Sequence, residues 1–422
     1  MVLKRDKRTS REILTTEGYI RFKRYRLYAV NADDHKDSVE RCKQIYGATS
    51  FFPLDMFLGI DNAPFKMTVD MALRVAKIGA SSPSYEAASK RLKEDFEIKL
   101  SDDTIRKVVD YVSQKVLEDD VSRTEEAIKD YDYKKARAAR RGRRPKDGFI
   151  LYVQADGAMF NTRTSKAAAD DADKKREPSS WKENKLGVVF RSDDLIELKE
   201  HDETGKPMYR IGKRGYICST RGVEVFRERL LWLMLENGLQ DASAVVMISD
   251  GAPWLRKMRE LLFPYATQIL DLFHLKENVM AFGQHIFNNK KAEYYPWWKE
   301  VCEQLENGQW NEVLNRSEIA VYRDDKATPP GVVNIYNYIW NNRDFIDYPT
   351  YKENGYFVGS GAIESGNKTV MQERLKLSGM KWIVDNAEAL LALRSKIKSE
   401  TWEDKVVPLI RKQYTMRRGD FA

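Results

Sequence analysis

No two of the three cysteines, Cys42, Cys218 and Cys302, form a C-x-x-C pair. Neither a disulfide framework nor a cysteine zinc site is supported, and a reducing cytoplasm fits. Histidine is also scarce, with four in 422 residues, which argues against a histidine-based zinc centre. The first residues, MVLKRDKRTSREIL, lack an apolar signal core, and no uninterrupted apolar run approaches the roughly 18 residues that a membrane helix needs. No internal repeat or low-complexity tract occurs. What is present is 42% hydrophobic content, enough to bury a sizeable core in two or three structural units. The net charge of +8 and pI near 9.0 are unevenly distributed along the chain, which favours a polyanionic partner, nucleic acid first.

Residues 11 to 30 alternate like a hairpin, with TTEG as the turn between REIL and YIRFKRYRLYAV. From Lys66 the pattern turns helical through MTVDMALRVAKIGA, SYEAASKRLKEDF and SDDTIRKVVDYVSQKVLEDD, the last capped by Ser101. Three short helices in succession read either as a helix-turn-helix DNA-binding module or as a bundle that only packs. Segment 134–146 holds Lys134, Lys135, Arg137, Arg140, Arg141, Arg143, Arg144 and Lys146 with no acid. It cannot fold alone, marks a domain boundary, and is either a solvated linker or a phosphate-binding tether.

After it, FILYVQAD, LGVVFRS and MYRIGKRGYICS read as strands, VEVFRERLLWLMLENG as a helix, AVVMIS as a strand, PWLRKMRELLF as a helix and QILDL as a strand. Three strands, then helix, strand, helix, strand is the order of an RNase H-like sheet. Residues 289–358 are helical and aromatic, carrying Trp297, Trp298, Trp310 and Trp340, and read as an all-α insertion whose tryptophans serve more often as core anchors than as base-stacking platforms. The expected fold class is α/β, a mixed-sheet catalytic core with an all-α insertion, behind a mainly helical N-terminal DNA-binding region. The boundaries are an N-terminal hairpin region at 1–60, the helical DNA-binding domain at 61–122, a basic linker at 123–147, core at 148–288, insertion at 289–358 and core again at 359–422.

Asp156 follows FILYVQA and Asp250 follows AVVMIS, each before a Gly that allows a sharp exit, and Glu364 in SGAIESGNK falls in the first turn of a helix. Two strand-end aspartates with a distant helical glutamate predict a divalent-metal phosphoryl-transfer site. Mg²⁺ or Mn²⁺ prefers such hard oxygen ligands, and a two-metal site needs carboxylates from separate elements to converge. Asp156 would bridge both ions, Asp250 would complete one and Glu364 the other. Asp-Gly alone is ordinary turn chemistry, so a set of plain turns stays the competing reading. Asp271 and His274, spaced Asp-x-x-His in QILDLFHLKEN, would support the site by gripping a phosphate or a flipped base, the competing reading being a histidine that only caps the helix or fills a core niche. Beyond Glu364 come Lys368, one helical turn on, then Arg374, Lys376, Lys381 and Trp382. This stretch is either a path for a DNA strand or a solvated basic face.

VQADGAMF, MISDGAPW, LDLFHLKENV and GAIESGNKTVMQERLKLSGMKW, spanning about residues 150 to 395, together resemble DDE transposases of bacterial insertion sequences, in the Mutator-like group and its ISLre-type members. The resemblance implies an RNase H-like core, an α-helical insertion before the glutamate, and two divalent ions used to cut transposon ends and join the 3′-OH to target DNA. It implies a triad of Asp156, Asp250 and Glu364, with Asp271 and His274 matching the group's Cys/Asp-x-x-His signature. It also implies a dimer or larger assembly on paired DNA ends, acting at the bacterial nucleoid. Many relatives carry a cysteine-rich N-terminal module, whereas this chain has Cys42 alone there, so the helices between 66 and 120 would have to recognise the ends. A nuclease of the same fold and a domesticated, non-catalytic DNA-binding protein are the alternatives.

Overall fold

The computed structural model describes residues 1–61, 64–129, 131–132, 148–163, 180–201 and 207–419. The basic segment, with Lys134, Lys135, Arg137, Arg140, Arg141, Arg143 and Arg144, lies outside them. The chain divides into two compact units, one of residues 1–120, 163–171 and 373–422, the other of 121–162 and 172–372.

The first unit opens with two long antiparallel strands, β1 (Val2–Thr15) and β2 (Gly18–Val30), joined by the expected turn, and a two-residue strand β3 (Ser50–Phe51) adds to β2. Asp6 and Lys7 together oppose Arg26, a β-bulge that Arg26 closes through a salt bridge to Asp6 at 2.6 Å. Arg11 and Arg24 reach from the ribbon to one carboxylate, Asp55, which is 1% exposed. Removing one member of a buried ion cluster strands the others in low dielectric. Asp55→Ala is therefore expected to cost about 3–5 kcal/mol, read as a drop in the first thermal transition. An unchanged melting curve would mean that the two guanidinium groups find other partners.

Helices Val69–Ser81 and Tyr85–Phe96 follow as the periodicity predicts, whereas the third, Asp102–Lys129, is 28 residues long rather than short and runs past position 123, where sequence order starts the linker. Ser84 and Ser101 accept hydrogen bonds from the N–H of Ala87 and Thr104, which satisfies donors that a helix start leaves open. Ile105, Val108, Val109, Val112 and Val116 form a buried stripe at helical spacing. Gly79 lets the first helix approach it, since a Cβ there would come within 2.6 Å of Val109. Helices Val384–Lys398 and Val407–Gly419 belong to this unit. Sequence order assigns 359–422 to the core, but the chain from Glu373 onward packs with the N-terminal helices instead. Arg411 pairs with Asp70 at 2.9 Å, and Lys396 with Asp120 at 2.6 Å.

The second unit is α/β, built on a five-stranded mixed sheet. Its strands are β4 (Ile150–Asn161), β5 (Trp181–Arg191), β8 (Gly215–Ser219), β9 (Ala244–Ser249) and β10 (Thr267–Leu270), in the order β10-β9-β4-β5-β8. β4 and β9 pair in parallel, as do β9 and β10, while β5 runs antiparallel to β4 and β8. One face is covered by helices Val223–Glu236 and Pro253–Leu262, whose Phe226, Leu230, Leu255 and Met258 bury Leu151, Val153 and Met247. The other face carries Tyr152, stacked 5.0 Å from Phe190.

MYRIGKRGYICS, one strand by pattern, is two: β7 (Pro207–Ile211) pairs with β6 (Leu195–His201) outside the main sheet, and only Gly215–Ser219 joins the core. Gly212 sits at the break, where a Cβ would meet the Asp194 carbonyl at 2.8 Å. The insertion is helical as expected, with Lys291–Glu306, Trp310–Asn315, Ser317–Ala320, Ile335–Asn342 and Tyr348–Glu353. Trp297 is buried and donates to Glu318 at 2.6 Å, an anchor rather than a platform. Among the described residues no helix is long and apolar enough to cross a membrane.

Candidate active site

β9 and β10 end at one level, beside the middle of their parallel neighbour β4. Gln154 pairs with Ile248, and Ser249 with Leu270, so the same registers carried forward set Asp156 beside Asp250 and Asp250 beside Asp271. Asp250 leaves its strand as predicted, with Gly251 at φ +86° making the exit, and the Ala252 N–H donates to its carboxylate at 3.0 Å.

Asp156 does not sit at a strand end. β4 continues to Asn161 because β5 keeps pairing with it, Leu186 opposite Asp156 and Trp181 opposite Asn161. Asp156 instead marks the place where the β9 ladder stops and the opposite edge of β4 opens. Gly157 provides room rather than an exit, since a Cβ there would meet the Glu183 carboxylate at 2.1 Å. Burial pushes the Asp156 carboxyl upward and the Asp250 charge adds to this, while the Gly157 N–H at 2.7 Å pulls the other way.

The helix Gly361–Gly366 brings Glu364 to this edge. Its backbone is fixed by a side chain of the sheet: buried Gln154 accepts from the Ile363 N–H at 3.0 Å and donates to the Gly359 carbonyl at 3.3 Å. Gly366 allows close packing, for a Cβ would meet Tyr216 at 2.6 Å. The chain then widens into a π-helical turn, Asn367–Gln372, and buried Asn367 donates to Asp156 at 2.6 Å. The helix that carries Glu364 is thus tied directly to the first aspartate.

Asp271 is fully buried and caps the helix Leu272–Ile286. One carboxylate oxygen accepts from the Phe273 N–H at 2.7 Å, and the other from the Ser360 N–H at 3.2 Å, the Ser360 hydroxyl and His274 Nδ1 at 2.8 Å. Burial alone would raise its pKa, but these donors hold it below the ordinary value. His274 is pushed up to about 9, chiefly by its bond to Asp271 and further by the charges of Glu364 and Asp250. Glu364 lies 3.9 Å from His274 Nδ1 and accepts from the Ser360 hydroxyl at 3.2 Å.

Among the described residues, ligand atoms of Asp271, His274 and Glu364 fall within 4.8 Å of one another. Asp156 and Asp250 belong to no such group among the described residues. The set of Asp271, His274 and Glu364 is a poor fit to a resident ion, since Asp271 is taken up by four donors. The sequence-predicted set is Asp156, Asp250 and Glu364, whose ligand atoms do not all fall within 4.8 Å of one another. The described hydrogen bonds leave lone pairs on each of these carboxylates, and hard oxygens suit Mg²⁺ or Mn²⁺.

Beside Asp250 opens a cavity of about 610 Å³ walled by Arg256, His274, Asn278, Tyr338 and Asn342. Tyr338 donates to the Asp250 carbonyl at 2.7 Å, so the helical insertion supports the strand end. Lys368 is exposed. In the first unit Lys376 and Lys381 are exposed and Trp382 is half-buried, but Arg374 is only 1% exposed. Its guanidinium lies 4.5 Å from the Tyr85 ring and 4.9 Å from that of Trp382, and donates to the Pro83 carbonyl at 3.2 Å. The expectation of a surface cation there is not met, because aromatic stacking draws it inside.

The motifs do not reveal Gln154, Ser360 and Asn367. Ser360, Glu364 and Asn367 stand at i, i+4 and i+7, one helical face, and that spacing was the available signal. Comparison with protein-family models finds no match, and comparison with curated proteins finds none either.

Proposed function

We propose that this chain is a DDE-type DNA transposase, with Asp156, Asp250 and Glu364 as its catalytic carboxylates. What supports the reading is that β9, which Asp250 follows, stops beside Asp156, and that the glutamate helix is bonded to the same edge through Asn367 and Gln154. The sheet order supports an RNase H-like core, as do two parallel and two antiparallel pairings around β4. The helical insertion between Asp271 and Glu364 agrees with the same architecture.

Two divalent ions bound by these carboxylates would activate the attacking water or 3′-hydroxyl and neutralise the leaving oxygen. The protein's own part is positioning. Asn367 orients Asp156, Ser360 orients Glu364, and Asp271 holds His274 protonated at neutral pH, a cation suited to a DNA phosphate. Exposed Lys368, Lys376 and Lys381 and the basic segment 134–146 would track the backbone of transposon ends and target, on a dimer or larger assembly at the nucleoid.

The test uses the full chain with Mg²⁺, a duplex carrying the inverted repeats that flank its coding region, and a supercoiled plasmid. Joining of a 3′-OH end to the plasmid is the expected result. Cleavage without joined product would favour a nuclease, and DNA binding with neither product a non-catalytic binding protein.

A further inference from the structure

The ribbon β1–β2 has two chemically different faces. Inward, Arg11 and Arg24 end on buried Asp55. Outward, Arg8 stands directly opposite Tyr25, with Lys23 opposite Ser10 on one side and Arg5 opposite Leu27 on the other. Directly opposed residues share a face, and the bulge at Asp6 and Lys7 keeps Arg5 on the same side as Arg8. The Arg5 and Arg8 guanidinium groups lie 4.4 and 5.6 Å from the Tyr25 ring. Arg5, Arg8 and Lys23 are exposed, and none forms an ion pair with a carboxylate among the described residues. Arg21, on the same face, is neutralised by Glu12 at 2.8 Å.

We infer that this outward face is a docking surface for the phosphate backbone of duplex DNA. Strand geometry separates the cations by steps on the order of 7 Å, comparable to successive phosphates on one strand. Tyr25 stiffens the two arginines, which lowers the entropy lost when they engage phosphate. The Asp55 clamp behind them fixes the ribbon, so the face is presented rigidly. A merely soluble surface would intersperse acids among these cations, and this one does so only at Glu12. Duplex DNA as the polyanion rests on the proposed function, while the docking surface itself depends on no catalytic residue.

The test is fluorescence anisotropy of the full chain with a short labelled duplex of arbitrary sequence, titrated across NaCl concentrations. Arg5→Gln/Arg8→Gln/Lys23→Gln should weaken binding on the order of 10- to 100-fold near physiological salt and flatten the log–log salt slope by about 2 to 3. A charge-matched control, Lys290→Gln/Lys291→Gln/Lys299→Gln, should leave the slope near that of the wild type. Arg5→Lys/Arg8→Lys should keep the wild-type slope, which separates lost charge from lost folding. An unchanged slope in the glutamine variant overturns the ribbon assignment and leaves the transposase reading intact, as does an equal loss in the control. No duplex binding by the wild type overturns both.

Discussion

Asp156→Asn is expected to abolish metal-dependent cleavage and joining, by roughly 10³-fold or more, while duplex affinity stays within about twofold. A thousandfold corresponds to about 4 kcal/mol of transition-state stabilisation, reasonable for a carboxylate placed to hold both ions. Asparagine keeps the shape and can still exchange a hydrogen bond with Asn367, so the substitution removes charge and little else. The same change should raise the stability of the metal-free protein at neutral pH. Asp156 has a folded pKa above its unfolded value, because burial and the Asp250 charge disfavour its ionised form. Whatever stability its protonated form gives is present below the unfolded pKa near 3.8 and is lost as pH rises through the folded one. Asparagine never pays that penalty. Melting curves at pH 7 and pH 3 check this, with the variant ahead at the first and level at the second. Residual cleavage within tenfold of wild type would remove Asp156 from the chemistry.

Asp271→Ala should lower stability by about 3–5 kcal/mol, the range for stripping one partner from a buried charged pair. Four donors lose their acceptor at once, among them the helix-cap N–H of Phe273 and both polar groups of Ser360. The milder Asp271→Asn isolates the electrostatic part. In the wild type the raised His274 pKa contributes stability that is complete below about 6.5 and lost as pH rises through about 9. With its side chain 38% exposed, solvent screening reduces this to about 1–2 kcal/mol. Asp271 contributes in the opposite direction: held below its ordinary value, it stabilises above pH 3.8 and ceases to do so as pH falls through its folded pKa. In Asp271→Asn the His274 imidazole should titrate nearer 6.5 by NMR, and the loss of stability between pH 6.5 and 9 should disappear. A His274 midpoint still near 9 would show that Glu364 and Asp250 hold the proton instead.

Local chemistry made part of this site readable. Apolar β-branched runs marked β4 and β9, and Gly251 marked the exit after Asp250, whereas the Asp-x-x-His spacing gave no sign that Asp271 would cap the helix. Ser101 could be recognised as a cap, since its partner is three residues away. What could not be read depends on partners remote in the chain. Nothing near Asp156 announces that Trp181–Arg191 will extend its strand past Gly157. Gln154 meets Ile363 across 209 residues, and Asn367 meets Asp156 across 211. The burial of Arg374 depends on Tyr85, 289 positions earlier in the sequence. Periodicity assigns a residue to an element. It does not name the neighbour that the fold will supply.

The hydrogen bonds from Gln154 to the chain around Ile363 have a bearing on how such a protein can vary. They fix the glutamate helix from the sheet side, whatever route the polypeptide takes to reach it. The excursion between Asn289 and Phe357 therefore need not be conserved in size for Glu364 to arrive at its station. Exposed corners such as Gly331, at φ +85° with open space around it, can admit or lose residues while the carboxylate geometry stays as it is. Chains that share this edge should differ most in the length of that helical detour.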